Sequence, residues 1–445
     1  MLGRDRTMAL LETGLKCSRV EQTEILAVGQ HTYLTRYSEN YIHQNVGERD
    51  TRITVRAVTG KRIGVASTNQ FEEGALRETV EQACEMSRLA PERPDFRSLP
   101  GPEPIPDVGM GISRATLECP ADLRAAYVER VVSMARDKGV AAAGALTTGS
   151  LELGVANSLG VRAYGMTSRA DLSCVAMSPD SSGFGQESSF DVSKVDPTRV
   201  AEKAVSKCLA SRNPVTIPPG EYDVVLEPPA IGDMLLYLAF LGFTAESYQE
   251  GRSFMSGKLG QKIAGDNITI WDDGLDPAGF PMPFDFEGVP KRKVTLIENG
   301  VARGVVYDSL SAGREARKST GHAVAQEGFV GSMPMNLMMA GGTSSVAEMI
   351  ASTGKGILVT RFHYVNPVHP VKTIITGMTR DGTFLIEDGK LATGLTNLRF
   401  TESILGALSR VELISSEREV RAGMLSMVCP AVKVRGFTFT GTTKS

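Results

Sequence analysis

Six prolines fall within sixteen positions, at Pro91, Pro94, Pro100, Pro102, Pro104 and Pro106, and this run limits the fold more than any other feature of the chain. Each proline fixes φ and removes a backbone donor, so neither a helix nor a central strand can pass through the segment. Residues 91–106 are expected to form a linker or a long surface crossing. A second break follows at Pro214 and Pro218-Pro219-Gly220. The expected fold class is α+β: an N-terminal mixed α/β region over 1–213, then a β-rich C-terminal domain over 220–445. The first region has sub-parts at about 1–90 and 107–213, joined by the proline stretch. A chain of 445 residues accommodates that division.

Hydrophobic period assigns elements inside these stretches. A helix is expected around Met8 to Arg19, then strands at Glu24 to Val28 and Thr32 to Tyr37. Ile53, Val55 and Ala57 alternate with polar neighbours, and Ile63-Gly64-Val65-Ala66 follows a Thr59-Gly60-Lys61 turn, which is a hairpin pattern. Leu76, Val80, Ala83 and Ser87 recur at helical spacing over 70–89, with Asn69 placed to cap. A helix from Ala121 to Lys138 precedes a strand pair, Ser150 to Asn157 and Val161 to Thr167. Asp196-Pro197 sets an N-cap and an N1 proline for a further helix with a buried stripe through Ala201, Ala204, Val205 and Cys208. Beyond the second break, Val224-Val225-Leu226 reads as a buried strand and Pro229 to Phe243 as an apolar helix. Leu296-Ile297-Glu298-Asn299-Gly300 and Leu385-Ile386-Glu387-Asp388-Gly389 are near copies, each a tight hairpin, the first rejoining at Gly304 to Tyr307. Ser345 and Glu348 form a capping box for a short helix closed by Gly354.

Composition narrows the function classes. A net charge of −3 gives no field for nucleic acid or an anionic membrane surface. The longest basic run, Lys291-Arg292-Lys293, reads as a solvated strand edge. No eighteen apolar residues run together, and the N-terminus lacks a leader-like apolar segment, so a cytoplasmic protein is expected. The six cysteines include no Cys-x-x-Cys pair; Cys84 and Cys208 fall on apolar helix faces as packed thiols.

No complete catalytic motif is present. The five histidines, His31, His43, His322, His363 and His369, form no His-Glu-x-x-His spacing. There is no nucleophile elbow and no Walker loop. Asp272-Asp273 and the Asp285/Glu287 pair read as acidic, solvated loops. Two stretches are richer. Arg314, Lys318, Ser319, Thr320 and His322 combine cations, hydroxyls and a His around Gly321, suited to a carboxylate or a peptide backbone or else to a polar surface turn. Arg361 and His363 open a run of aromatics and polar heads that fits either a binding cleft or a strand end packed on the core. These seven residues are the substrate-cleft candidates. No catalytic and no metal-binding residue is assigned.

The chain resembles the TldD/PmbA family, often labelled modulators of DNA gyrase. The likeness rests on Arg36-Tyr37-Ser38-Glu39-Asn40-Tyr41-Ile42-His43-Gln44 and on Gly64-Val65-Ala66-Ser67-Thr68-Asn69. It continues through Phe254-Met255-Ser256-Gly257-Lys258-Leu259-Gly260, Asp272-Asp273-Gly274, Phe284-Asp285-Phe286-Glu287-Gly288-Val289-Pro290 and Leu296-Ile297-Glu298-Asn299-Gly300. Lys318-Ser319-Thr320-Gly321-His322-Ala323 is similar to the PmbA (TldE) branch. The resemblance implies a dimer that encloses a cavity and handles unfolded peptides. It implies a TldD-type subunit with zinc on a His-Glu-x-x-x-His helix and a Cys further on, paired with a PmbA-type subunit that lacks that site. In this sequence the corresponding helix offers Leu236, Tyr237 and Leu241, and the Cys position falls near Ser416. The resemblance thus implies a non-catalytic subunit that shapes the cavity or holds substrate, with no cofactor of its own and zinc in a TldD-like partner. The alternatives are a hydrolase acting alone through His322, His363 and His369, or a homodimeric peptide-binding protein.

Overall fold

Ile25 and Ala27 alternate with Leu26 and Val28, and both sets face apolar surroundings, so the strand that carries them is covered on both sides. The computed structural model describes residues 2–108, 111–326 and 329–442. Six strands, β1 (Gln22–Ser38), β2 (Tyr41–Thr59), β3 (Arg62–Thr68), β4 (Ala141–Asn157), β5 (Arg162–Ser178) and β6 (Ser181–Ser189), form an antiparallel sheet in the order β3-β2-β1-β4-β5-β6. Helices α1 (Arg4–Cys17) and α2 (Glu73–Leu89) cover one half of one face, where Leu11, Leu76 and Val80 meet Ile25, Ile53 and Val55. After the short α3 (Arg114–Leu117), helices α4 (Ala121–Asp137) and α5 (Pro197–Ala210) cover the other half through Val128, Val131, Ala204 and Cys208 against Leu146, Leu172 and Cys174.

Side chains alternate across a strand, so the opposite face carries the intervening residues. Leu26 of β1, Leu153 and Val155 of β4 and Ala163 of β5 turn away from the helices and join the core of the C-terminal part. That part contributes β7 (Gly220–Leu226), α6 (Pro228–Gly242), β8 (Ile270–Asp272), β9 (Val294–Glu298), β10 (Val301–Ala302), β11 (Ala323–Gln326), β12 (Phe329–Ser332) and β13 (Asn336–Met339). It ends with β14 (Lys355–His369), β15 (Ile374–Glu387), β16 (Lys390–Gly394), β17 (Leu398–Ser403), β18 (Val411–Ala422) and β19 (Ser426–Thr442). Apart from the β11–β12 hairpin, these strands share one sheet, ordered β10-β9-β8-β13-β19-β17-β15-β14-β7 with β16 and β18 attached. Because β7 also pairs with β19, the strands β19, β17, β15, β14 and β7 close on themselves and lose their free edges. Helix α6 is apolar but for Asp233 and the Tyr237 hydroxyl, and Ile231, Leu235, Leu238 and Ala239 are buried in the same core. The fold is α+β with a β-rich C-terminal part, as expected.

Several local expectations change. The strands β4 and β5 extend well beyond the segments read from the sequence, because Ala142, Cys174 and Ala176 are small residues that pack under α4 and α5. Helix α2 starts after Glu72, and Asn69 does not cap it. Gly304 to Tyr307 forms only a bridge from Val306 to Thr244, while β10 takes the hairpin position. The helix after Ser345 has its capping box but ends at Ala351. The proline stretch is irregular yet anchored: Phe96 and Leu99 are buried against Val58.

Candidate functional site

A cleft of about 440 Å3 lies where the helix-free face of the first sheet meets the C-terminal part. One wall comes from Gln30 and Thr32 on β1, Thr147 and Leu151 on β4, and Thr167 and Arg169 on β5. The parity that turns Ala163 inward turns Thr167 and Arg169 the same way. The other wall comes from the loop 280–291, from Met335 and Asn336, and from the β18–β19 turn at Gly423 and Met424. Phe280, Met282, Phe284, Phe286 and Met335 make it largely apolar.

The loop is shaped by Asp285. Its carboxylate, 1% exposed, accepts the backbone N–H groups of Glu287 (2.9 Å), Val289 (2.9 Å) and Ala323 (2.8 Å). Burial and the Glu287 charge push Asp285 up to about 7. Gly288 takes a left-handed φ of 75°, and a Cβ there would lie 2.5 Å from Val161 Cγ1, so only glycine lets the turn press onto the first sheet. Glu287 reaches the same sheet by accepting from Arg56 at 2.8 Å, and Arg56 also holds Glu24 at 3.0 Å.

Behind the loop lies a buried polar group. Asp272 accepts from His322 Nε2 at 2.7 Å and from the Asn336 backbone N–H at 2.6 Å. Burial would raise Asp272, but the His322 ring, its hydrogen bond and the Lys291 charge outweigh that and hold it below its usual range. Burial and Lys291 pull His322 down, and its Nδ1 lies 2.9 Å from both the carbonyl and the hydroxyl oxygen of Thr320. Lys291 is 6% exposed, which corrects its reading as a solvated edge; Asp272 and the Asp285/Glu287 pair are equally buried, not loop charges in water. Burial pulls the Lys291 ammonium below its usual value against the pull of Asp272 and Asp285. The lysine stem lies over Gly274, where a Cβ would stand 2.9 Å from Lys291 Cδ.

The seven cleft candidates lie elsewhere. Arg314 pairs with Asp95 at 2.7 Å and donates to Gln249. Lys318 is exposed. Ser319 and Thr320 both donate to the Tyr307 carbonyl, and His322 sits one layer behind the cleft wall. Arg361 pairs with Asp381 and stacks its guanidinium 4.3 Å from the Phe184 ring, while His363 lies on β14 beside Tyr364. None of the hydrogen bonds or ion pairs among the described residues joins the 314–322 group to Arg361 or His363. Among the polar residues that line the cleft, Lys291, Asn336 and Arg169 carry no motif; only strand parity could have pointed to Arg169.

The zinc implied by resemblance can be tested on α6. Leu236 carries no donor atom, Leu241 packs in the core, and the Tyr237 hydroxyl donates to the Val365 carbonyl. These side chains do not fit a metal that needs about three imidazole, thiolate or carboxylate ligands. Among the described residues no group of three His, Cys, Asp or Glu side chains gathers to hold one elsewhere.

Comparison with known proteins places these features in context. A family model described as the PmbA/TldA metallopeptidase C-terminal domain matches residues 219–441, and PmbA/TldA metallopeptidase domain 1 matches residues 23–87. The crystal structure of TldE from Thermococcus kodakarensis superposes with a TM-score of 0.88 at 24% identity, covering 98% of this chain and 100% of that one. A metalloprotease PmbA homolog from Haemophilus influenzae is 22% identical over 87% of this chain and 86% of its own length. An uncharacterized protein of Methanocaldococcus jannaschii is 45% identical over 23% of this chain. Against the first curated relatives the aligned stretch spans only 24% to 57% of the relative's length.

Proposed function

The chain belongs to the PmbA/TldD metallopeptidase family, and on that premise we propose that it is a subunit of the PmbA/TldE type, which shapes the cavity and holds peptide while a TldD-like partner carries the zinc and cuts. One observation carries this reading: α6 presents Leu236, Tyr237 and Leu241 where the resemblance puts the ligand-bearing side chains. A hydrolytic zinc activates water only when it is held. Substrate is an unfolded peptide, held in part by main-chain pairing that ignores sequence. The assembly works in the cytoplasm, and among the described residues all six cysteines are unpaired, in keeping with a reducing compartment.

The test is purification of the tagged chain from its native cell, followed by metal analysis and a peptidase assay on the isolated chain and on the recovered complex. The expected result is a zinc-containing TldD-like subunit in the complex, peptide cleavage by the complex, and neither metal nor cleavage from the chain alone. Stoichiometric zinc on the isolated chain with cleavage lost in His363→Ala would establish the lone hydrolase instead. Recovery of the chain only as a dimer with itself would replace the partner reading with a homodimeric binder.

A further inference from the structure

Two cleft-lining side chains are more than nine-tenths buried yet have no internal hydrogen-bond partner among the described residues. The Lys291 ammonium donates to no acceptor, and neither Asp272 nor Asp285 reaches ion-pair distance. The Asn336 carboxamide is likewise unpaired, although its own backbone N–H is fixed to Asp272. From the opposite wall, Arg169 donates one nitrogen to the Gly423 carbonyl, while its Nε is buried without a partner. Buried polar groups in folded proteins are nearly always paired, and here the Arg169 Nε and the Ser426 hydroxyl are buried without a partner while the Lys291 and Asn336 heads open onto the cleft space, so the set marks where something else binds.

The spare capacity has a direction. The carboxylates on the lysine side are filled: Asp285 accepts three amide N–H groups, and Asp272 accepts His322 and Asn336. What remains includes the Lys291 ammonium and the Arg169 Nε, which can only donate, and the Asn336 carboxamide and the buried Ser426 hydroxyl, which can donate as well as accept. A ligand that completes the site brings acceptors and negative charge, and the ring and thioether wall asks for an apolar group beside them. The cleft volume lies in the range of small-ligand sites.

We propose that this cleft binds the C-terminal residue of a peptide, with Lys291 and Asn336 receiving the free α-carboxylate, Arg169 facing them, and an apolar last side chain lodged among Phe280, Met282, Phe284 and Met335. This deepens the reading of the chain as a peptide-holding subunit and rests on it. The site acts by binding; no bond is made or broken there. A chain end is selected over an internal segment because an internal peptide group brings carbonyls but no charge to match a buried ammonium.

The experiment uses the purified full chain and fluorescence polarization with short labelled peptides ending in Leu, Phe or Lys, each as the free acid and as the C-terminal amide. The expected result is that the Leu and Phe acids bind at least tenfold tighter than their amides, and that the Lys-ended acid binds weakly. Lys291→Met keeps the stem over Gly274 and removes the charge; it should abolish the acid-over-amide preference while leaving the melting temperature within a few degrees. Equal binding of acid and amide by the wild-type protein overturns the proposal without recourse to any variant. So does undiminished acid preference in Lys291→Met. Decanoate serves as the other source of an apolar-tailed carboxylate: if it displaces the Leu-ended acid at concentrations below those of the unlabelled peptide, the site takes a fatty acid and the peptide assignment fails. Recovery of the TldD-like subunit is scored in parallel. Retained partner with lost carboxylate selectivity counts against this cleft alone, and lost partner with retained selectivity counts against the subunit reading alone.

Discussion

At the scale of single residues, the junction between the two sheets is set by one guanidinium and two carboxylates. Arg56 on β2 holds Glu24 of β1 and Glu287 of the cleft loop, and Glu287 also accepts the Ser309 N–H at 2.9 Å. One cation serves two buried anions, and burial, with Glu287 adding to it, pushes Glu24 up to about 7 against the pull of Arg56. The sign follows from linkage. Between the ordinary value of 4.5 and about 7, the folded chain holds a proton that the unfolded chain has released. Stability from this site is therefore greatest below that window and declines as the pH rises through it. Asp285 and Asp308, pushed up to about 7 and about 6, act in the same direction. Glu24→Gln keeps an acceptor for Arg56 and removes the titration. Urea melts at pH 5 and pH 8 should show the wild type losing more stability across that interval than the variant, by about 1–3 kcal/mol. Equal slopes would mean that Glu24 is ionised throughout. The acids themselves were visible in the sequence as charged positions; their burial was not, because it depends on two sheets that are distant in the chain meeting over them.

At the scale of elements, the loop from Pro283 to Lys291 acts as a bracket between the C-terminal part and the first sheet. Its turn at Gly288 faces Val155 and Val161 with no room for a side chain. Gly288→Val adds a strained left-handed φ to an overpacked contact, and the two together should cost about 2–5 kcal/mol. The measurement is a denaturation midpoint, compared with Gly74→Val, where an added side chain meets open space within α2. A Gly288 variant no less stable than the Gly74 one would mean that the loop can lift away without cost. Local chemistry was legible where it is self-contained: Asp196 caps α5 by accepting from the Thr198 N–H at 2.9 Å, as Asp-Pro predicts, and Ser345 and Glu348 make their capping box. It was not legible where a distant contact decides the outcome. Lys291 belongs to the most basic triplet in the chain and looks solvated by composition, yet it is buried because Gly274 leaves space for its stem and Asp272 lies near its charge. The partners of Arg314 and Arg361 were hidden for the same reason: their carboxylates, Asp95 and Asp381, come from a distant part of the chain and from a strand neighbour.

For the whole molecule, the question is whether two sheets with separate connectivity behave as one folding unit. Their helix-covered cores are distinct, but the largest core contains Leu26, Leu153, Val155 and Ala163 from the first sheet and Val161 from its β4–β5 turn, together with α6 and the closed set of strands β7, β14, β15, β17 and β19. Phe284 bridges the two: it is fully buried, and its ring lies so close to Gly165 of β5 that a Cβ there would be 2.9 Å from it. Separating the parts would return this shared apolar surface to water, so neither half gains by unfolding first. Trp271 of β8 reports on the C-terminal part, and the buried thiol of Cys174 on β5 reports on the first sheet. In a urea titration, Trp271 fluorescence and Cys174 labelling read by mass spectrometry should share one midpoint. Phe284→Ala should lower both midpoints together, by the equivalent of about 3–5 kcal/mol. Distinct midpoints in the wild type, or a Phe284→Ala shift confined to the Trp271 signal, would show that the halves unfold independently. The cleft would then be a crevice whose width follows domain motion, and Lys291 would face solvent for part of the time. A single transition instead keeps Lys291, Asn336 and Arg169 at fixed separation, the condition under which one carboxylate can find all three donors in place.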